Sequence, residues 1–342
     1  MRKTSAVALL SALFLACSPG KSQIKDYNKA PVEKYMQTIS AKDLKKHLYI
    51  VAADSMQGRN TGTEGQKKAG KYLISQYVAN GISFPKGADG WYQKVPSEYM
   101  SRAFSPKLGD SENIWAFIEG TEKPDEVLVI SAHYDHVGMK NGEVYNGADD
   151  DGSGTVALME IAQAFMQAKK EGYGPKRSIL FLHVTGEEHG LHGSRYYNEH
   201  PLFPIANTIA DLNIDMIGRR DEAHKDNGNY VYVIGSDRLS TDLHNINEAA
   251  NIRYTKLNLD YTFNERSDPN QFYFRSDHYN FAKKGIPIIF YFNGVHADYH
   301  KATDTPDKIE YDLLSKRAQL AFATAWELAN RENRPVVDKD GK

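Results

Sequence analysis

Three apolar runs in this chain each end in a group able to bind a metal ion, and that repeated junction restricts the fold more than any other feature. Val127 to Ser131 leads to His133 and Asp135, Ser178 to Val184 leads to Glu187 and Glu188, and the run from Ile209 closes on Asp215. Runs of Val, Ile and Leu with few polar interruptions lack the alternation of a strand with one wet face and suit a sheet buried on both sides. Further strands are predicted at Asn113 to Ile118, Tyr230 to Ile234 and Pro287 to Phe292. Helices are predicted at Thr63 to Asn80, Gly154 to Ala168, His192 to His200, Leu239 to Ala250 and Tyr311 to Asn330. The first of these places Ala69, Tyr72, Leu73 and Tyr77 at helical spacing, and the last is rich in helix formers such as Ala318, Leu320 and Ala321. Strands alternating with helices predict an α/β sandwich, in which sites form at the carboxyl ends of the strands.

The chain has 342 residues, 41% hydrophobic and 25% charged, enough for one catalytic domain with a substantial core. Its 42 basic and 44 acidic residues leave a formal net charge of −2, so nothing draws it in general to nucleic acid or anionic membranes. Arg2 and Lys3 precede an apolar stretch from Ala6 to Ala16, too short to span a bilayer but suited to a secretory signal over residues 1–16. Export to the periplasm or cell envelope is expected. The only cysteine, Cys17, directly follows Leu13-Phe14-Leu15-Ala16, which resembles a bacterial lipoprotein processing site that would make Cys17 the lipidated N-terminal residue. Phe14 and Leu15 depart from the commonest such site, and the alternative is ordinary cleavage nearby with Cys17 discarded. Residues 17–30 read as a polar tether, 31–330 as a single folded domain and 331–342 as a charged, solvated tail.

The chemistry lies in the junctions. In extended chain, positions 133 and 135 face the same way, so a carboxylate at Asp135 could bind the second ring nitrogen of a ligand His133 and fix its tautomer. Alone, a His-x-Asp is as readily a surface turn. His136 points to the other side and ranks second. Asp149, Asp150 and Asp151 are adjacent carboxylates that repel one another, for which a cation is the natural compensation; helix capping would need only one Asp. In the pair Glu187 and Glu188, one can bind metal while the other moves protons, or both can be solvated loop residues. His189 and His192 could compete as ligands. Asp215 ends an apolar run, where a metal or a base must offset its charge. His300, in a turn-rich loop before the last helix, gains weight only from the others. Two zinc ions can share one bridging carboxylate, take a further carboxylate and an imidazole each, and hold a water between them.

In their order these segments resemble the clan MH zinc exopeptidases, in the bacterial di-zinc aminopeptidase branch that also contains glutamate carboxypeptidases. The likeness is carried by His133 with Asp135, the Asp150 run ending in Gly-Ser-Gly, Gly-Glu187-Glu188 followed by Gly-Leu-His-Gly-Ser, Asn-Ile-Asp215-Met-Ile-Gly, and Tyr299-His300-Lys-Ala-Thr-Asp-Thr-Pro. Gly58-Arg59-Asn-Thr-Gly62-Thr-Glu-Gly65 and Tyr92-Gln93 add to it upstream. The resemblance implies a three-layer αβα sandwich with a mixed, mostly parallel central sheet and two Zn2+ ions. By it, Asp150 bridges the ions; one adds His133 and Asp215, the other Glu188 and His300. Asp135 would orient His133, Glu187 would be the general base, and Tyr299 would stabilise an oxyanion or simply pack. A cis peptide is expected at Asp150-Asp151.

The activity so implied is removal of N-terminal residues from small peptides. Arg275-Ser276-Asp277-His278 with Phe281, and Tyr291-Phe292-Asn293-Gly294, would border the pocket. A single-zinc glutaminyl cyclase or a carboxypeptidase on the same fold are alternatives, as is a non-enzymatic binding lipoprotein. The last would be expected to have lost ligands or the base, and every one is present.

Overall fold

The apolar runs pair into one eight-stranded sheet in the computed structural model, which describes residues 31–101 and 107–340. The signal segment, Cys17 and the tether lie outside the described residues. The strands are β1 (Tyr92–Val95), β2 (Ser111–Ile118), β3 (Lys123–His133), β4 (Met139–Lys140), β5 (Glu143–Val144), β6 (Arg177–Val184), β7 (Thr208–Ile214), β8 (Tyr230–Ile234), β9 (Asn258–Asp260) and β10 (Ile288–Phe292). Their order in the large sheet is β1-β2-β6-β3-β7-β10-β8-β9, while β4 and β5 form a separate hairpin. β6, β3, β7 and β10 run parallel to their neighbours in that series, as do β8 and β9; the β1-β2, β2-β6 and β10-β8 pairs are antiparallel. The sheet is therefore mixed and mostly parallel, as expected.

The helices are α1 (Val32–Met36), α2 (Ala41–Val51), α3 (Glu64–Ala79), α4 (Ser97–Met100), α5 (Gly154–Lys170), α6 (His192–Glu199), α7 (Thr241–Ala250), α8 (His278–Ala282) and α9 (Tyr311–Asn330). Alternate residues of each central strand serve opposite layers. Leu128, Ile130 and Ala132 of β3 and Ile179 and Phe181 of β6 face a core shared with α1, α2, α3, α5, α7 and α9. Val127 and Val129, with Leu180, Leu182 and Val184, face a second core that holds Tyr197 of α6 and Phe281 of α8. These side chains are almost wholly buried, and each Val, Leu, Ile or Phe among them contributes roughly 1.5–3 kcal/mol, which explains why both faces of the strands read as apolar.

The register delivers the site. His133 pairs with Val184, and Ser131 pairs with Asn213, so the parallel β6, β3 and β7 run out side by side on one edge of the sheet. Helix α5 starts against that edge. A Cβ at Gly154 would sit 2.4 Å from both Asp151 Oδ1 and the Ile214 carbonyl, so only glycine lets the helix begin so close to the end of β7.

Helices α1, α2, α4 and α8 and strands β1, β4, β5 and β9 go beyond the elements predicted. Helix α2 was not predicted, although Ser40 caps it by accepting from the Asp43 amide at 3.1 Å and Leu44, Leu48 and Val51 form its buried stripe. The segment after α9 keeps exposed side chains such as Val336 and Val337 but is laid along the surface by hydrogen bonds: Arg334 donates to the Ala206 and Thr208 carbonyls, and Asp338 accepts from the Thr241 amide.

Candidate metal centre

β3 ends at His133, whose Nε2 lies 3.3 Å from Asp150 Oδ1 and 3.5 Å from Asp215 Oδ1. The other oxygen of Asp150 lies 2.9 Å from His300 Nε2, which is also 3.0 Å from Glu188 Oε2. One carboxylate thus faces two imidazoles, each with a second carboxylate beside it. Donors around a zinc ion with bonds of ~2.1 Å are spaced by roughly 3.4 Å in a tetrahedral arrangement. Several of these buried groups lack any hydrogen-bond partner, among them Asp150 Oδ2, Asp151 Oδ2, Glu188 Oε1 and both ring nitrogens of His136. Orphaned carboxylates and imidazole nitrogens at such spacing fit divalent zinc.

The electrostatics agree. Burial alone would lower the basicity of His300, yet Asp150 and Glu188 outweigh it and push the ring up to about 10. Burial and Asp150 work against ionisation of Glu188, but His136 and His300 bring it down to about 2. The cluster is a sink for positive charge. Glu187 differs from its neighbour: burial first, then Asp215 and Glu188, raise it well above the usual carboxylate range, against the pull of His133. Its Oε2 stands 4.0 Å from His133 Nε2, and it lines a narrow cleft with Asp150, Asp215, Met216, Phe272, Arg275, Phe290, Phe292, Val295 and Tyr299. Tyr299 stacks on His300 with ring centroids 3.9 Å apart. The peptide Asp150-Asp151 is cis. A roomier groove of about 400 Å³ between α7 and α9, lined by residues such as Arg253 and Glu327, holds no group of ligating side chains among the described residues.

Asp135 sits beside His133 but makes a different contact from the one the resemblance implied. The ring Nδ1 meets the Asp135 carbonyl oxygen at 3.1 Å, and the carboxylate lies farther off at 3.8 Å. That carboxylate accepts instead from Thr61 Oγ1 at 2.7 Å and from the Glu187 amide at 3.3 Å. The reason is local: the chain leaves the sheet at His133, so the two-residue alternation stops there and the main chain of Asp135 folds back under the ring. The same break corrects the placing of His136. It does not face away; its Nδ1 is 2.7 Å from Glu188 Oε1, and it is fully buried. His189 bonds Asn60 and stands apart from the two donor groups.

Of the other supporting residues, Asp304 and Asp151 lie in segments that carry the resemblance, though the sequence assigns them none of these contacts, and His296 lies outside those segments. Asp304 accepts from the amides of Asp149 and Asp150 at 3.0 and 3.2 Å, and His296 Nε2 lies 3.1 Å from Asp149 Oδ2. The loop bearing Tyr299 and His300 is therefore pinned at both ends to the turn bearing Asp150. Asp151 Oδ1 accepts from the Gly154 and Met216 amides, and the residue could join His133 and Asp215 around an ion. Its neighbourhood with Asp150 could have been read from the acidic run; its bonds could not.

Fold and donors together define a zinc-exopeptidase type of α/β protein. The sequence pattern of peptidase family M28 matches residues 113–325, and a probable leucine aminopeptidase of Trichophyton verrucosum is 32% identical over 311 residues, covering 88% of this chain and 77% of that protein. The chain belongs to peptidase family M28. It spans only 57% of the length of two further curated relatives. Among solved structures, the LapA aminopeptidase of Legionella pneumophila matches with a TM-score of 0.67 and 22% identity, covering 97% of this chain and 81% of that one. The glutaminyl cyclase of Porphyromonas gingivalis matches nearly as well, with a TM-score of 0.65 and 19% identity over 84% of this chain and 97% of that one. These two likenesses speak for the fold alone.

Proposed function

We propose that the protein is a di-zinc exopeptidase that removes N-terminal residues from small peptides, with Glu187 as general base. As a member of family M28 it is a zinc-dependent hydrolase of the aminopeptidase type. The finer reading rests on one observation: Asp150 lies between two imidazoles, 3.3 Å from His133 and 2.9 Å from His300, with Glu187 on the cleft side. By this reading His133, Asp150 and Asp215 hold one ion, and Asp150, Glu188 and His300 the other.

When bound, the ions supply Lewis acidity and make a water acidic enough to yield its proton near neutral pH. Glu187, on the cleft side of the donors, would take that proton and later return it to the leaving amine. Asp135 steadies the base by accepting from the Glu187 amide. Tyr299, fixed by stacking on His300, donates its hydroxyl to the developing oxyanion. Phe272, Phe290, Phe292 and Val295 give the cleft apolar walls, which suit an apolar terminal side chain. Export and lipid anchoring at Cys17 belong to the proposal on sequence alone.

A panel of amino-acid amide reporters and a glutaminyl peptide, assayed with and without chelator, tests this reading. Hydrolysis of free-amine substrates that disappears on chelation is expected, and Glu187→Gln should keep two zinc ions yet lose about 10²–10⁴-fold in kcat. Cyclisation without hydrolysis, or full activity in Glu187→Gln, would defeat it.

A further inference from the structure

We propose that His136 is a further ligand of the ion assigned to Asp150, Glu188 and His300, an inference that rests on the di-zinc reading above. That ion would then take four side chains and its neighbour three.

His136 is wholly buried, and neither of its ring nitrogens has a hydrogen-bond partner. An imidazole held this way loses its water without compensation, a cost that a bound cation removes. Its Nδ1 comes within 2.7 Å of Glu188 Oε1 and 3.8 Å of Asp150 Oδ2. His136 Nδ1 and Glu188 Oε1 stand in ion-pair range, yet neither makes a well-formed hydrogen bond. Two buried, unsatisfied donor atoms this close are placed to share a cation. Ligand atoms of His136, Asp150 and Glu188 all lie within 4.8 Å of one another, as a shared ion requires.

The ring is also held in place from behind. Its backbone amide donates to the Arg59 carbonyl at 3.1 Å, and the residue bridges to Asn60. On the far side the ring rests on Gly147, where an added Cβ would come within 2.5 Å of its Cγ and Cδ2. His300 approaches with ring centroids 5.8 Å apart and the planes near perpendicular, so the two imidazoles share the space without stacking. The histidine so fixed has its Nδ1 near two carboxylates.

The four-ligand position should bind its ion more tightly, leaving the His133 position as the one with coordination open to substrate. Proton NMR of the cobalt(II)-substituted protein tests the ligand count, because each ligating imidazole gives one strongly shifted, solvent-exchangeable ring N–H resonance. At two cobalt ions per chain the expected count is three, falling to two in His136→Ala, with one ion held at least about tenfold more weakly in competition with a chelator. Two such resonances in the wild-type protein at two ions per chain would overturn the inference and leave the di-zinc reading standing. Saturation at one ion per chain would overturn that reading and the inference with it. The wild-type count is decisive even if the variant does not fold.

Discussion

Asp215 enters the site with one oxygen already engaged. Ser276 Oγ donates to Asp215 Oδ2 at 2.6 Å and accepts from Asn213 Nδ2 at 2.9 Å. Asn213 Oδ1 in turn lies 3.0 Å from Ser131 Oγ, whose one hydroxyl hydrogen it shares with the buried Asp211 Oδ1 at 2.8 Å. This chain of bonds across β3 and β7 holds the carboxylate so that Oδ1 is left for the side facing His133. The Arg-Ser-Asp-His segment was read as bordering the pocket, but nothing in the sequence indicated that its serine supports a ligand from the next strand over. On the proposed di-zinc reading, Ser276→Ala should weaken the site that includes Asp215 by about 10–100-fold. A chelator competition read against the unchanged site measures this; equal affinity in the variant and wild type would remove Ser276 from the positioning of Asp215.

At the scale of elements, the site depends on how loops are held against strand ends, and Arg59 does much of this. It is completely buried in a left-handed conformation, with φ 48°. Its guanidinium donates to the carbonyls of Val51, Tyr134, Asn146 and Gly147, and so ties α2 to the residue before Asp135 and to the approach of the Asp150 turn. Burial lowers its basicity, while Asp151 and Asp150 favour its charge. Arg59→Ala should cost about 3 kcal/mol or more, because four buried carbonyls lose their donors together. Arg59→Lys should recover little, since an ammonium cannot match a planar fork. Urea unfolding measures both, and a loss under about 1 kcal/mol in the alanine variant would contradict this role. The same contrast explains what was legible. Strands β3, β6 and β7 announced themselves because both faces are apolar, and their carboxyl ends carried the chemistry into view. His136 and the Asp135 contact were misjudged because strand alternation was carried past His133, where the strand ends. Helix α2 had a cap and an apolar stripe that a closer reading of period could have found, whereas the short β1 and β9 depend on neighbours for pairing and leave little local pattern.

Across the whole molecule, the two cores enclose histidines that serve no donor group, and they make its stability depend on pH. His183, in β6, lies against the Tyr77 hydroxyl at 2.6 Å, and His278, at the start of α8, contacts the Tyr273 carbonyl at 2.8 Å. Burial holds both rings neutral, bringing each down to about 3. In the unfolded chain each takes up its proton near pH 6.5. Between pH 6.5 and 3 the unfolded state therefore binds more protons than the folded one, so stability is intact above that window and falls as the pH drops through it. From pH 7 to pH 5 the fall should be about 2 kcal/mol for each ring. His183→Gln removes one of the two groups, and its unfolding free energy should fall by about 2 kcal/mol less than that of the wild type over the same interval. Comparing the two proteins in identical buffers isolates this ring, because proton competition at the zinc ligands is common to both. Parallel pH profiles for wild type and variant would mean that His183 is charged in the folded protein or does not titrate in the unfolded one.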